Sequence, residues 1–195
     1  MRLVLVAGFL GSGKTTLLEH IARQLTAAGR KIAIIENEAG EIGIDGNYLR
    51  QNGLEVQELY GGCICCTLSV DLVVTLQKVQ RLFAPDVVLM EPTGLARPGD
   101  IVSAIRSHVP AVTHYHVLVL VDAARFDMLM SMLTPLLTAQ IEAADVVAIN
   151  KIDEIDQAVL EPMAERIREL NPHAQILAIS AEKAVNLEPL LYGLA

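Results

Sequence analysis

The chain has 195 residues, 52% of them hydrophobic and 19% charged, enough to bury one substantial core and most simply read as a single domain spanning 1–195. A formal net charge of −8, with Lys and Arg scattered, argues against a nucleic-acid partner, and no apolar run approaches the ~20 residues that a membrane span requires. A cytoplasmic location is the resulting expectation. The cysteines Cys63, Cys65 and Cys66, crowded into four positions, then point to metal or redox chemistry more than to a disulfide framework.

Leu3-Val4-Leu5-Val6-Ala7 reads as a buried strand rather than a leader peptide, because it runs straight into G-F-L-G-S-G-K-T-T at 8–16. That stretch matches G-x-x-x-x-G-K-S/T completely and precedes a helical pattern, the setting a phosphate-binding loop needs. Gly8, Gly11 and Gly13 let the backbone around Ser12 curl so that its N–H groups form an anion nest at a helix N-terminus. Lys14 is the expected donor to the β- and γ-phosphates, Thr15 the hydroxyl ligand of Mg²⁺, and Thr16 a donor to the α-phosphate.

Leu17, Leu18, Ile21, Ala22, Leu25 and Ala28 recur at helical spacing, and Gly29 is placed to end that helix. A second buried strand at 31–35 delivers Glu36 and the polar run through Glu41 to the edge where ligands bind in parallel sheets. Residues 55–59 alternate as a short strand before Gly61-Gly62-Cys63-Ile64-Cys65-Cys66. A helix is expected from Leu68 to Phe83, stopped by Pro85, and then a strand at 87–90 ending at Glu91. Glu91-Pro92-Thr93-Gly94 has the form of a magnesium-holding carboxylate followed by a switch segment whose Gly94 N–H can sense a γ-phosphate.

Further on, the pattern predicts a helix over 99–108, a strand over 117–121 followed by Asp122, a helix or helix pair over 124–143, and a strand over 146–149. That strand runs into Asn150-Lys151-Ile152-Asp153. An N-K-x-D sequence at a strand end suits guanine: the Asp153 carboxylate accepts from the ring N1–H and the exocyclic amine, which adenine does not offer together. Helix at 157–170, strand at 175–179, the Ser180-Ala181 turn, whose backbone can reach guanine O6, and a last helix complete the chain. Strands alternating with helices throughout define a doubly wound, mostly parallel α/β sheet flanked by helices, of the P-loop NTPase type.

Three thiols in C-x-C-C form can share one ion only if the loop turns, because neighbours in a strand face opposite ways. Thiolates favour Zn²⁺, and added carboxylate or imidazole ligands widen the choice to Co²⁺ or Ni²⁺. Glu36 and Glu41 are the candidates to complete such a site, with His108 a further one. Inert buried thiols and a redox relay are the alternatives.

With the phosphate loop, E-N-E-A-G-E at 36–41, G-G-C-I-C-C at 61–66, E-P-T-G at 91–94 and N-K-I-D at 150–153 in this order, the chain resembles the cobalamin-synthesis-protein (CobW) family of GTPases over essentially its whole length. The resemblance implies slow GTP hydrolysis with Mg²⁺, a transition metal held at the cysteine motif, and delivery to a client metalloenzyme or corrinoid protein. A GTP-dependent homodimer is a further expected partner. The rival expectation is a regulator that senses metal or oxidation through its thiols and docks on its client without transferring anything.

Overall fold

A computed structural model describes residues 1–36 and 70–192, the side chains of 36, 70, 71, 191 and 192 apart. Among these residues six strands form one parallel sheet: β1 (Arg2–Gly8), β2 (Ile32–Glu36), β3 (Val87–Glu91), β4 (His114–Asp122), β5 (Val146–Asn150) and β6 (Gln175–Ala178). Their spatial order is β2-β3-β1-β4-β5-β6. Between and after them lie α1 (Lys14–Ala27), α2 (Val70–Phe83), α3 (Pro98–His108), α4 (Phe126–Met132), α5 (Thr134–Glu142), α6 (Leu160–Leu170) and α7 (Glu188–Tyr192). The strand expected at 55–59 lies outside the described residues.

Alternation along β1 shows why the sheet is covered on both sides. Val4 and Val6 point into one core with Leu17, Leu18 and Ile21 of α1 and Leu190 of α7. Leu3 and Leu5 point the other way, against Leu72 and Leu76 of α2 and Ile101 and Ile105 of α3. On the β4–β5 half of that second face, Val119 and Val147 meet Phe126, Ile141 and Ile167 of α4, α5 and α6. A strand apolar on both faces reads as a continuous hydrophobic run, which is how β1 and β3 look in sequence.

Two features sharpen the sequence reading. β4 begins at His114 rather than at 117, because Arg2, Leu3 and Val4 of β1 offer ladder partners to His114, Tyr115 and His116, whose polar side chains hide the strand. The helical stretch at 124–143 is a pair, with a 3₁₀ turn at Ala123–Arg125 leading into α4, which stops before Thr134-Pro135 at the start of α5. Gly29 ends the α1 segment as expected, in left-handed backbone with φ 76°.

Strand register aligns the C-terminal edge. Glu36 stands opposite Glu91, Gly8 opposite Leu120, and Asp122 opposite Asn150. Because these six strands are parallel, these strand-end residues fall in one row along this edge.

Candidate functional site

The loop after β1 wraps under the first turn of α1 and forms one wall of a cleft of about 390 Å³. Gly11, Gly13, Lys14, Thr15 and Thr16 line the cleft, as do Glu91, Asn150, Lys151, Asp153, Ser180 and Ala181 from the other strand ends. Gly8 and Ser12 shape the loop from behind, Ser12 fully buried. Gly13 has φ 94°, and a Cβ there would stand 2.4 Å from Asn150 Nδ2, so this position needs glycine on both counts.

At the β3 side, Thr15 Oγ1 donates to Glu91 Oε2 at 2.9 Å, and Lys14 Nζ lies 3.5 Å from Glu91 Oε1. Lys14 Nζ also reaches the Phe9 carbonyl at 3.4 Å. Lys14 is 6% and Glu91 5% exposed, so each buried charge faces the other instead of standing alone in the low-dielectric interior. Gly94 lies against the backbone of Phe9 and Leu10, which puts the segment after Glu91 directly beside the phosphate loop. Gln140 of α5, wholly buried, holds that segment from behind by donating to the carbonyls of Gly94 at 3.2 Å and Ala96 at 2.9 Å.

At the β5 side, Asn150 is the joint. Its Nδ2 donates to the Ser12 carbonyl at 2.7 Å, and its Oδ1 accepts from the Ala181 N–H at 2.9 Å. One buried amide thus ties the phosphate loop to the 180–181 turn. Lys151 follows in left-handed backbone, φ 68°, and Asp153 sits at the cleft wall with Lys183 Nζ 3.0 Å from its carboxylate. The Ser180 hydroxyl and the Lys183 ammonium hold the Asp153 carboxyl below the usual range, keeping it an acceptor.

Asp122, Arg125 and Gln140 were not singled out from sequence. Asp122 is 1% exposed and accepts from Arg125 Nε and Lys151 Nζ, both at 2.8 Å. An acidic residue at the end of an apolar strand was the available signal for it. Gln140 had none, since its partners lie 44 and 46 residues away.

The transition-metal candidates do not all come together. Glu41, Cys63, Cys65 and Cys66 lie outside the described residues. Glu36 ends β2 next to Glu91 on the cleft edge. His108 lies at the far end of α3, which runs back across the sheet and leaves it at the opposite edge. There the Thr113 N–H bonds the Met1 carbonyl and Arg106 stacks on Tyr115. His108 Nδ1 pairs with the Ala104 carbonyl one turn back at 2.9 Å, and its own carbonyl accepts from Gln77. It is a helix-end residue, not a neighbour of Glu36. Among the described residues no group of three or more His, Cys, Asp or Glu side chains forms a metal cluster. None of their helices is long and apolar enough to cross a membrane.

Comparison with known proteins agrees with this frame. The chain is 36% identical over 186 residues to the zinc chaperone YjiA of Escherichia coli K12, a match spanning 90% of the chain and 56% of YjiA. It is 33% identical over 195 residues to the zinc chaperone CobW of a Sinorhizobium species, covering 83% of the chain and 54% of that protein. The chain therefore spans about half the length of these relatives. The crystal structure of zinc-bound YjiA GTPase superposes with a TM-score of 0.63 at 33% identity, over 92% of this chain and 57% of YjiA. The hydrogenase maturation factor HypB of Archaeoglobus fulgidus shares the fold with a TM-score of 0.72 at 22% identity, over 100% of this chain and 88% of that one. The family model for the CobW/HypB/UreG nucleotide-binding domain matches residues 2–178, and the chain belongs to that family.

Proposed function

We propose that this chain binds and slowly hydrolyses GTP with Mg²⁺ and uses the nucleotide to control a transition-metal cargo held at Cys63, Cys65 and Cys66. The observation that carries the nucleotide half is Asn150, whose one side chain joins the Ser12 carbonyl and the Ala181 N–H and so sets Asp153 at a fixed reach from the phosphate loop. A base held by Asp153 and phosphates held by the loop would then belong to one ligand. Thr15 Oγ1 and Glu91 Oε2, a pair of hard oxygen donors 2.9 Å apart beside the phosphate loop, suit Mg²⁺. The chemistry supplied by Mg²⁺ when bound is neutralisation of charge on the phosphate oxygens.

Lys14 adds the second positive charge, donating to the phosphates from the pose it now shares with Glu91 and the Phe9 carbonyl. Among the described residues, those lining the cleft include neither glutamine nor arginine. With neither of these two side-chain types among them, hydrolysis by the isolated protein is expected on the order of 10⁻⁴ to 10⁻² s⁻¹. Calorimetric titration tests the base: GTP should bind far more tightly than ATP, and Asp153→Ala should abolish the difference. Equal affinities in the parent protein would overturn the assignment.

For the cargo, support comes from two directions. The relatives named above are called zinc chaperones, and the chain leaves β2 at Glu36, beside Glu91, on its way to the cysteine motif. Zn²⁺ is the first expectation on thiolate chemistry, with Co²⁺ or Ni²⁺ accepted if Glu36 and Glu41 join. Cys65→Ser and Cys66→Ser should each weaken binding of one ion per chain in competition with a chelator, since each loses a thiolate and its charge. Stoichiometric movement of metal into a metal-free client metalloenzyme or corrinoid protein distinguishes delivery from sensing. A client effect that survives loss of all three thiols would favour a regulator that docks without transfer.

A further inference from the structure

Asp122 ends β4 in register with Asn150, and its buried carboxylate takes four hydrogen bonds. Oδ1 accepts from the N–H groups of Ala124 at 3.1 Å and Arg125 at 3.2 Å. Oδ2 accepts from Arg125 Nε and Lys151 Nζ, each at 2.8 Å. Both cations lead to the nucleotide cleft, from different sides. Arg125 Nη2 donates to the Leu10 carbonyl at 2.8 Å, and its guanidinium stands 3.2 Å from where a Cβ on Gly11 would lie. Lys151 lines the cleft between Asn150 and Asp153, its left-handed backbone held in place by a side chain anchored at the far end.

The phosphate loop is thus held by its carbonyls. Arg125 takes the oxygen of Leu10 and Asn150 takes that of Ser12, both from the β4–β5 side. In a tightly curled loop, turning these carbonyls outward turns the intervening N–H groups toward the anion, so the two donors preorganise the nest before ligand arrives. Asn150 is fixed by its own strand, whereas Arg125 and Lys151 have long flexible stems that a charge partner must hold still.

We propose that Asp122 is a positioning residue for the nucleotide: it sets Arg125 against the outer limb of the phosphate loop and Lys151 along the guanine side, so that one buried carboxylate tunes both ends of the site. This rests on the guanine-nucleotide reading above. The two arms act on different properties. Arg125 orders a loop that meets phosphates, so its loss weakens every nucleoside triphosphate. Lys151 stands by the base, so its loss erodes discrimination between bases.

Titrations of a GTP analogue and an ATP analogue into the parent chain and the variants Arg125→Gln, Lys151→Met and Asp122→Asn read these properties apart. Arg125→Gln should lower affinity for both analogues roughly ten-fold, the scale of one charge-assisted hydrogen bond, with their ratio kept. Lys151→Met should lower the ratio. Asp122→Asn should do both, and Arg125→Gln added to it should cost little more, because the guanidinium has already lost its anchor. Arg125→Lys should not rescue, since one ammonium cannot span Asp122 and Leu10 with the fixed fork of a guanidinium. Should Asp122→Asn fail to fold, the two single-arm variants decide. If both fold and bind both analogues as the parent does, the network serves stability alone and the proposal is overturned. A parent with no preference for GTP overturns the guanine reading and the Lys151 arm; the Arg125 arm is then judged by its effect on both analogues.

Discussion

At the scale of single residues, the site is built from buried polar groups whose partners are far away in sequence. Asn150 is 2% exposed and satisfies Ser12 and Ala181 together. Replacing it with alanine leaves a buried carbonyl and a buried N–H unpaired, which should cost about 2–4 kcal/mol in urea unfolding and remove nucleotide binding with it. Asp122 allows a pH test. Burial alone would raise its pKa, but hydrogen bonds from Lys151 and Arg125 outweigh that and hold the carboxyl below its usual value. A carboxyl depressed on folding contributes stability that is complete above its unfolded-state value of about 3.9 and is lost as pH falls through the lower folded-state value. Acid unfolding below about pH 4, followed by circular dichroism, should therefore be less steep in Asp122→Asn than in the parent.

At the scale of elements, helices fix the loops that carry the chemistry. α1 buries Leu17, Leu18 and Ile21 almost completely under β1, and that packing anchors the turn bearing Lys14 and Thr15. Leu18→Ala should cost about 2–5 kcal/mol, read as a shift in denaturation midpoint with an unchanged slope. α5 plays the corresponding part for the segment after Glu91. Gln140 supplies two hydrogen bonds to its carbonyls, so Gln140→Leu should speed amide exchange over residues 92–97 while leaving β1 protected. Unchanged exchange there would mean that packing alone holds the segment.

At the scale of the whole molecule, one sheet edge brings together Glu36, Glu91, the phosphate loop, Asp122 and Asn150. A nucleotide lying along the edge would bear on the segment that begins at Glu36, so metal affinity should differ between the GTP-analogue and GDP forms. Coupling of this kind amounts to ~1–3 kcal/mol, roughly 5- to 150-fold, and must appear equally as an effect of metal on nucleotide affinity. Identical metal affinity in the two nucleotide states would leave two independent sites. Glu41→Ala should shrink both effects together if that carboxylate is the moving ligand.

What the sequence determined by itself was the chemistry whose parts are neighbours in the chain. The glycine spacing of 8–16, the Asn150–Asp153 tetrapeptide and the apolar runs that end in Glu91 and Asn150 each encode a local backbone shape or a strand end. Those were legible because turn geometry and strand alternation act over a few residues. Tertiary structure alone decided which of these parts meet. It joined Arg125 to Leu10 across 115 residues and Gln140 to Gly94 across 46, and it carried His108 away from Glu36 to the other edge of the sheet. A side chain's type says what it can bond, but helix direction and strand order decide which buried carbonyl lies within its reach, and those follow from packing the whole chain.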